Sequence, residues 1–322
     1  MTTPLLWRRQ AVRRRAVSPL LAEVLAGLRA TPKALSPKFF YDAAGARLFE
    51  EITTLPEYYP TRTELGILRE HAGEIAERLG PRVSLVEFGS GAGVKVRLLL
   101  DALREPAAYV PVDISGEQLA RVAAERRAEY PGVAVIPVQA DYTARFRLPQ
   151  LPAGSRRVAF FPGSTIGNFH PTEAIAFLRH VRQLVGPDGA MVLGVDRRKD
   201  PEVLHAAYND AAGVTARFNR NLLVRLNREL GATFDVQRFA HVAFFNDAKS
   251  RIEMHLASVG TQVVHVGDEV VHFADGETIH TECSYKYDEA RLEALVGAAG
   301  FAIRGVWTDP RDWFWVVQLE PC

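Results

Sequence analysis

The feature that most constrains the fold is an alternation of short apolar runs with helical segments between residues 83 and 196. The apolar runs read VSLVEFG, AYVPVDIS, VAVIPVQADY, RVAFFPGSTIGN and GAMVLGVD, and segments of helical periodicity follow the first, second and fourth. Strands that alternate with helices imply right-handed crossovers between parallel neighbours. The pattern therefore predicts an α/β fold with a doubly wound, mostly parallel sheet.

The alternation ends after Asp196. Residues 200–230 have helical periodicity, and residues 233–287 predict successive antiparallel strands, FDVQRFAHVAFF, RIEMHLASVG, TQVVHVGDEVVHF and TIHTECSYKY. The chain then returns to a helix, DEARLEALVGAAG, and to two strand candidates, FAIRGVWTD and WFWVVQLE. An insertion of about 90 residues thus interrupts the α/β core, and we expect it to pair with the N-terminal segment as a second, α+β domain.

Domain boundaries follow from these changes of pattern. The predicted core domain is 62–196 plus 288–322, and the predicted second domain is 17–61 plus 197–287. Residues 1–16 contain the basic stretch WRRQAVRRR. We expect this end to be loosely ordered, because chain termini are usually weakly held.

Composition and charge exclude several classes of function. A formal net charge of +1 gives no electrostatic reason to expect nucleic acid or an anionic membrane as a partner. No apolar run approaches the ~20 residues that cross a bilayer. The two cysteines and nine histidines have no metal-ligand spacing, so we expect no metal. Sparse cysteine use suits a reducing compartment, and we expect a cytoplasmic monomer that acts on a small molecule.

A glycine-rich stretch, EFGSGAG, joins the first predicted strand to the first helix. Gly89 and the glycines after it let the backbone approach a ligand closely. Asp113 ends the second strand, at the distance along the chain where an acidic residue reaches a ribose diol. The glycine order departs from the dinucleotide pattern GxGxxG, because Val94 takes the sixth position. The loop therefore favours S-adenosylmethionine over a nicotinamide dinucleotide.

Asp141 and Tyr142 end the third predicted strand and offer a carboxylate and a ring where an adenine would lie. Together with Gly89 and Asp113 they follow the carboxyl ends of successive parallel strands, which is where open α/β sheets bind ligands. We therefore expect one S-adenosylmethionine site at this edge. Two other functions stay open: a nicotinamide-dependent oxidoreductase, and a protein that binds S-adenosylmethionine without catalysis.

The predicted strand HTECSYKY places Glu282 and Ser284 two residues apart. Alternate strand side chains share a face, so the two point the same way unless a bulge falls at Cys283. A carboxylate beside a hydroxyl is either ordinary surface polarity or a binding site for a group that donates hydrogen bonds. The strand alone does not decide between these.

Five blocks of the chain resemble a known family: FFPGSTIGN, LPEYYPTRTE, AAYNDAAGVTARFNRN, RIEM and TECS. They resemble the S-adenosylmethionine-dependent L-histidine Nα-methyltransferases of the ergothioneine pathway, and the resemblance runs from about residue 30 to the C-terminus. It implies a Rossmann-like methyltransferase domain and a substrate-binding domain. It also implies three methyl transfers to the α-amino group of histidine, which give hercynine.

The resemblance also assigns roles to individual residues. Its cofactor contacts correspond to Gly89, Lys95, Asp113, Asp141 and Tyr142. Its histidine contacts correspond to Tyr58, Asn168, Tyr208, Glu282 and Ser284, with Tyr41 as the catalytic residue near the reacting amine. Its pocket-lining positions correspond to Gly163, Thr165, Phe218 and Met254. The loop GSGAGVK departs from the more polar stretch that close relatives have before the lysine.

These roles suit the chemistry of the side chains. The Asn168 amide can donate to the substrate α-carboxylate, and Tyr208 can add a second hydrogen bond. Glu282 can accept from one imidazole nitrogen while Ser284 pairs with the other. A site of this kind rejects analogues that leave its polar groups unpaired. A methyltransferase for another amino acid or amine remains an alternative.

Overall fold

The computed structural model describes residues 18–91 and 93–322, so the arginine-rich segment 1–16 lies outside the described residues. Several helices begin at a side chain that caps the first turn, such as Ser18, Asp42 and Asp288. The α-helices are α1 (Pro19–Arg29), α2 (Ala43–Thr54), α3 (Tyr59–Leu79), α4 (Val94–Ala102), α5 (Gly116–Glu129), α6 (Pro171–Val185), α7 (Pro201–Tyr208), α8 (Val214–Leu230) and α9 (Glu289–Ala298).

Within the described residues, the strands belong to three sheets. They are β1 (Lys33–Ala34), β2 (Val83–Phe88), β3 (Ala108–Asp113), β4 (Ala134–Val135), β5 (Val138–Gln139), β6 (Arg156–Phe161), β7 (Ala190–Asp196), β8 (Phe239–Asn246), β9 (Arg251–Ser258), β10 (Gln262–Val266), β11 (Glu269–Phe273), β12 (Thr278–Tyr285), β13 (Phe301–Thr308) and β14 (Phe314–Pro321).

The main sheet has the strand order β13-β14-β7-β6-β2-β3-β4, and β5 also pairs with β3. Strands β7, β6, β2, β3, β4 and β5 run parallel to one another, whereas β14 runs antiparallel to both β7 and β13. Helices cover both faces and bury the strands, which explains their continuous apolar sequences. The predicted doubly wound, mostly parallel α/β sheet is confirmed.

The third predicted strand, VAVIPVQADY, is wrong as one continuous element. It forms two short pieces, β4 and β5, on either side of Ile136 and Pro137. Proline has no backbone N–H to donate, so it interrupts the ladder at this edge. Asp141 and Tyr142 consequently lie in the segment after β5 rather than within a strand.

The second sheet has the order β1-β12-β9-β8. Strands β8, β9 and β12 are antiparallel, and β1 from the N-terminal segment pairs in parallel with β12. The expected single strand TQVVHVGDEVVHF is wrong, because it folds into a separate hairpin of β10 and β11. Gly267 has a positive φ of 59°, which suits the two-residue turn between them.

Buried apolar side chains form three clusters. One joins the N-terminal helices to the insertion and includes Val24, Phe40, Phe218, Met254 and Ile279. The other two lie around the main sheet. This separation supports the predicted pairing of residues 17–61 with 197–287, while the exact domain boundaries stay a prediction. In the described chain, no helix is both long and apolar enough to span a membrane.

Candidate active site

The glycine-rich turn between β2 and α4 forms one wall of the candidate site. Gly89 has a φ of 73°, a left-handed backbone conformation that favours glycine. A Cβ added to Gly89 would lie 3.7 Å from the hydroxyl of Tyr142. The backbone of the turn therefore faces the tyrosine ring directly.

Two carboxylates flank this turn. The side chain of Asp113, at the end of β3, accepts a hydrogen bond from the backbone N–H of Ser115 at 2.9 Å, and burial raises the pKa of Asp113. Asp141 accepts hydrogen bonds from the backbone N–H and the hydroxyl of Thr143, at 2.9 and 2.5 Å. Burial, followed by the charges of both aspartates, raises the pKa of Tyr142. Gly89, Asp113, Asp141 and Tyr142 are thus brought together at one edge of the main sheet.

Lys95, the fifth predicted cofactor residue, lies in the first turn of α4 and is tied to a buried glutamate. Its ammonium is 2.5 Å from a carboxylate oxygen of Glu64, which is completely buried on α3. The backbone N–H of Gly163 donates to both oxygens of the same carboxylate, at 3.0 and 2.8 Å. Glu64 therefore links α3, α4 and the turn after β6, with Lys95 and Gly163 adjacent to each other.

The register of β12 decides the direction of Glu282 and Ser284. A bulge lies between His280 and Glu282, whereas pairing with β9 is regular from Glu282 to Ser284. The expectation that Glu282 and Ser284 share a face is therefore confirmed, because the irregularity falls before Cys283 rather than at it. Met254 is the cross-strand partner of Glu282, so its side chain lies beside the carboxylate.

Glu282 occupies a largely desolvated position. It is 9% exposed, and burial raises its pKa to about 7, with the charge of Lys286 opposing the rise. The Asn168 side-chain amide, in the turn after β6, donates to a Glu282 oxygen at 3.4 Å. Two residues that the sequence assigned to one substrate, Asn168 and Glu282, therefore meet across the two sheets.

Lys286, immediately after β12, lies next to Ser284 and connects it to Tyr208 and Asp196. Its ammonium donates hydrogen bonds to Ser284 Oγ at 2.9 Å, to the Tyr208 hydroxyl at 3.2 Å and to an Asp196 oxygen at 2.7 Å. Asp196 ends β7 and is fully buried, and the Tyr59 hydroxyl also donates to it. The charges of Lys286 and of a second lysine, Lys199, hold the pKa of Asp196 below its usual range despite its burial.

Aromatic side chains of the N-terminal segment pack beside Tyr208 and Phe218. Tyr58 lies edge-on to Tyr208, with ring centroids 6.4 Å apart, and Tyr41 lies edge-on to Phe218 at 5.8 Å. Tyr41 is 40% exposed, and its pKa is nevertheless raised well above the usual value by desolvation and by the charge of Glu282. Tyr58, Tyr142 and Tyr208 add smaller effects to the rise in the pKa of Tyr41.

The remaining predicted residue has a local partner. The Thr165 hydroxyl donates to the carbonyl of Pro162 at 2.8 Å and thereby shapes the turn that precedes Asn168. Phe218 and Met254, predicted to line the pocket, are almost fully buried. The structure thus gathers the predicted residues around two neighbouring regions, the glycine turn and the face of β12 that carries Glu282.

Three charged residues beside the candidate site, Asp196, Lys286 and Glu64, were not predicted from the sequence. Asp196 had a usable signal, because it follows a parallel strand of the main sheet at its carboxyl end. Lys286 continues the two-residue spacing of Glu282 and Ser284, which predicts the same face. Glu64 gave no such signal, because a glutamate in the first turns of a helix is ordinarily a surface residue.

One group of side chains meets the geometric requirement for metal ligands. Glu253, His255 and His280 place one potential ligand atom each within 4.8 Å of one another, although they are too dispersed in sequence to suggest a site. Two hydrogen bonds from Arg251 hold Glu253, and its other oxygen pairs with His255 at 3.3 Å. The guanidinium charge opposes a second cation here. The expectation of no metal therefore stays a prediction.

The two regions have complementary chemical capacities. The glycine turn offers open backbone and the Asp113 carboxylate to a ligand with a ribose. The face of β12 offers the desolvated Glu282 carboxylate and the Ser284 hydroxyl, and the Asn168 amide lies 3.4 Å from that carboxylate. Such a set can orient a small, polar substrate by hydrogen bonds at several points.

Comparisons with known proteins identify the family of this chain. The family model described as SAM-dependent, histidine-specific methyltransferase matches residues 20–321. A histidine N-alpha-methyltransferase from Mycolicibacterium smegmatis is 44% identical over 300 residues, which cover 92% of each chain. Ergothioneine biosynthesis protein 1 of Neurospora crassa is 32% identical over 285 residues, which cover 86% of this chain and 32% of that protein.

A solved structure agrees on the fold. An S-adenosylmethionine-dependent methyltransferase from Clostridium acetobutylicum aligns with a TM-score of 0.51 and 11% identity, covering 85% of this chain and 98% of the other. The main sheet is thus a Rossmann-like methyltransferase sheet. S-adenosylmethionine is the methyl donor, and the oxidoreductase alternative is wrong. The chain belongs to the family of S-adenosylmethionine-dependent, histidine-specific methyltransferases.

Proposed function

We propose that this protein transfers methyl groups from S-adenosylmethionine to the α-amino group of L-histidine. Three successive transfers give the trimethylated betaine hercynine, a step in ergothioneine biosynthesis. The observation that carries the proposal is the desolvated Glu282 carboxylate, which shares a strand face with Ser284 and lies beside Asn168. The substrates of the relatives named above agree with it.

The residues of the glycine turn fit S-adenosylmethionine. The left-handed backbone at Gly89 leaves room against Tyr142, where a side chain would narrow the gap. We propose that Asp113 binds the ribose diol and that Asp141 and Tyr142 contact the adenine. In the same proposal Lys95, whose ammonium lies next to Gly163, would face the methionine end. When bound, S-adenosylmethionine supplies an electrophilic methyl group on a sulfonium.

The imidazole end of the substrate lies against β12 in this proposal. Glu282 accepts a hydrogen bond from one ring nitrogen, and Ser284 pairs with the other. A ligand N–H favours the ionised carboxylate, because it replaces part of the hydration that burial has removed. Met254 and Phe218 supply apolar surface beside the ring. Phenylalanine leaves both polar groups unpaired, so it binds poorly.

The amino-acid end of the substrate lies between the two sheets. Asn168 and Tyr208 donate to the α-carboxylate, and Tyr58 lines the same wall, 6.4 Å from Tyr208 between ring centroids. Tyr41 faces the reacting amine from the side nearer Tyr142. A tyrosine hydroxyl is protonated at neutral pH, and the pKa of Tyr41 lies above the ordinary value, so this hydroxyl can both accept from and donate to the amine.

The catalytic contribution of these residues is chiefly positional. Only a neutral amine has a lone pair for attack, and holding that lone pair in line with the methyl group and sulfur turns an encounter into an intramolecular step. A proton must leave the amine before each transfer, and Tyr41 can relay it to water. The third product has no N–H left, so it keeps fewer hydrogen bonds to the site.

A mass-spectrometric assay tests the function. The purified protein is incubated with S-adenosylmethionine and a panel of amino acids. We expect histidine alone to gain one, two and then three methyl groups. Methylation of another amine, with histidine unmodified, would contradict the proposed substrate, whereas no methylation of any amino acid would support a binding protein without catalysis.

We also propose that the protein is a cytoplasmic monomer with no nucleic-acid partner. Cys283 and Cys322 are both free thiols, which suits a reducing compartment. Light scattering coupled to gel filtration tests the monomer. A mass of two or more chains at assay concentration contradicts it.

A further inference from the structure

Lys286 is a buried cation directly beneath the residues proposed to hold the imidazole ring. Its side chain is 1% exposed. Its ammonium reaches three oxygens, those of Asp196, Ser284 and Tyr208, at 2.7, 2.9 and 3.2 Å. An ammonium has three N–H donors, so all of its hydrogen-bonding capacity is used.

These hydrogen bonds fix the roles of the Ser284 and Tyr208 hydroxyl groups toward Lys286. An ammonium has no lone pair, so Ser284 and Tyr208 must act as acceptors toward Lys286. Their own hydrogens then point elsewhere. In the proposed complex the Tyr208 hydrogen goes to the substrate α-carboxylate, which leaves the Ser284 hydrogen for the ring. Lys286 therefore biases this pair toward donating to a ligand.

We propose that Lys286 makes the site selective for the neutral imidazole of histidine by turning Ser284 into a hydrogen-bond donor. A neutral imidazole offers one N–H to Glu282 and one lone pair to Ser284, whereas an imidazolium offers two N–H groups and no lone pair. Lys286 acts through Ser284, so it is a positioning residue. The inference rests on the proposed function, since it requires histidine as the substrate.

Several titratable groups face Lys286 and Ser284 from the neighbouring elements. They are Tyr41, Tyr58 and Tyr59 from the N-terminal segment, Asp196 and Lys199 at and after β7, Tyr208 of α7, and Cys283 and Glu282 of β12. The four tyrosines and the cysteine have raised pKa values, and that of Asp196 is lowered, so these groups keep one protonation state from pH 5.5 to 7.5. Lys199, with a pKa of about 8, begins to titrate only at the upper end. Glu282 titrates within the range, with a pKa of about 7.

The test is the pH dependence of histidine binding, measured by calorimetry with S-adenosylhomocysteine present to prevent turnover. In the wild type we expect the affinity to fall about tenfold per pH unit below the ring pKa of about 6.5. In Lys286→Met the hydroxyl of Ser284 is free to turn and accept. We expect weaker binding at pH 7.5, by about tenfold, and a shallower fall on acidification than in the wild type, because only the titration of Glu282 still contributes.

An analogue with a weakly basic ring distinguishes titration of the substrate ring from titration of Glu282 in the pH dependence of binding. Triazolylalanine keeps an N–H and a lone pair but stays neutral over this pH range. With the wild type, any fall that remains with this analogue belongs to the protein. We expect the share of the fall that comes from the ring to disappear, while the share that comes from titration of Glu282 remains. If the fall persists in full, Glu282 causes it and the proposal is overturned.

Lys199→Met is the matched control, because it removes an ammonium from the same carboxylate without touching Ser284. We expect it to retain the wild-type dependence on pH. A wild-type pH profile in Lys286→Met overturns the proposal. Should that variant not fold, as judged by its melting curve, Ser284→Ala takes its place with the same expected flattening and the same contrary outcome. A wild type that does not bind histidine at any pH refutes the proposed function itself.

Discussion

The surroundings of a single residue, Glu282, disfavour the ionised form of its carboxylate. Burial favours its protonated form, and Lys286 only partly restores the ionised form. A bound N–H donor stabilises the carboxylate, so part of the substrate's binding energy is used to ionise or pair this group. The sequence suggested a polar binding residue at position 282. It did not predict that the carboxylate is desolvated, because desolvation depends on the elements packed around β12.

Replacing Glu282 with alanine should weaken histidine binding by about 10- to 100-fold, because a hydrogen bond to a charged group is lost. Binding of S-adenosylmethionine should change little, since its proposed contacts lie at the glycine turn. Calorimetric titration with each ligand measures both. Glu269→Ala, at a half-exposed glutamate of the β10–β11 hairpin, is the control. Unchanged histidine affinity in Glu282→Ala removes this residue from the site.

Asp113→Ala should have the opposite pattern. The lost carboxylate would weaken S-adenosylmethionine by about 10-fold or more, because two ribose hydroxyls lose their acceptor. Histidine affinity, measured with the cofactor product at saturation, should stay close to that of the wild type. A loss confined to histidine would contradict the assignment to the ribose.

The raised pKa of Glu282 also predicts a pH-dependent stability. Its folded-state pKa of about 7 exceeds the ordinary value of 4.5, so the folded protein binds the proton more tightly than the unfolded chain does. The contribution of Glu282 to the free energy of unfolding is therefore fully present below pH 4.5. It is lost as the pH rises through 7, by on the order of 3 kcal/mol. Glu282→Gln should be more stable than the wild type at pH 8, with the difference shrinking toward pH 5. Equal denaturant midpoints at both pH values would contradict this.

At the scale of elements, helix α3 is joined to the main sheet through a buried charge. Glu64 receives two bonds from the Gly163 backbone N–H and pairs with Lys95 of α4. This contact positions the turn after β6, which carries Asn168. The sequence predicts α3 from its helical periodicity, but its periodicity does not reveal that one glutamate on it points inward.

Glu64→Ala should destabilise the protein by about 3 kcal/mol, because it leaves a buried N–H and an ammonium without their acceptor. Urea denaturation measures the loss. Glu70→Ala, on the same helix with a side chain 69% exposed, should change stability by less than about 0.5 kcal/mol. Similar effects from the two variants would show that the Glu64 contacts contribute little.

The bounds of strands were predicted correctly where a long apolar run defines the strand. The prediction was wrong where a single proline or glycine interrupts a strand. The strands β2, β3, β6 and β7 follow their apolar runs. Pro137 splits the next strand, since it cannot donate to a ladder, and Gly267 turns an expected strand into the β10–β11 hairpin. Both signals are present in the sequence, although they compete with a continuous β-forming pattern.

At the scale of the whole molecule, the two predicted ligand sites belong to different sheets that meet at the turn after β6. Hydrogen exchange tests this arrangement. S-adenosylhomocysteine should slow exchange chiefly in the segments around β2, α4 and β3, whereas histidine added afterwards should slow it in β12 and α7. Protection by both ligands in the same segments would contradict two separate regions.

Periodicity and local motifs predicted the α/β sheet and the interruption after Asp196, because both are properties of neighbouring residues. The family resemblance, rather than periodicity, suggested most of the candidate site residues, whose roles stay predictions. The tertiary structure decided how Glu282, Asn168, Asp196 and Lys286 meet, since they come from three distant parts of the chain. It also decided their protonation and donor roles, because desolvation and charge pairing depend on what surrounds a group in space rather than along the chain.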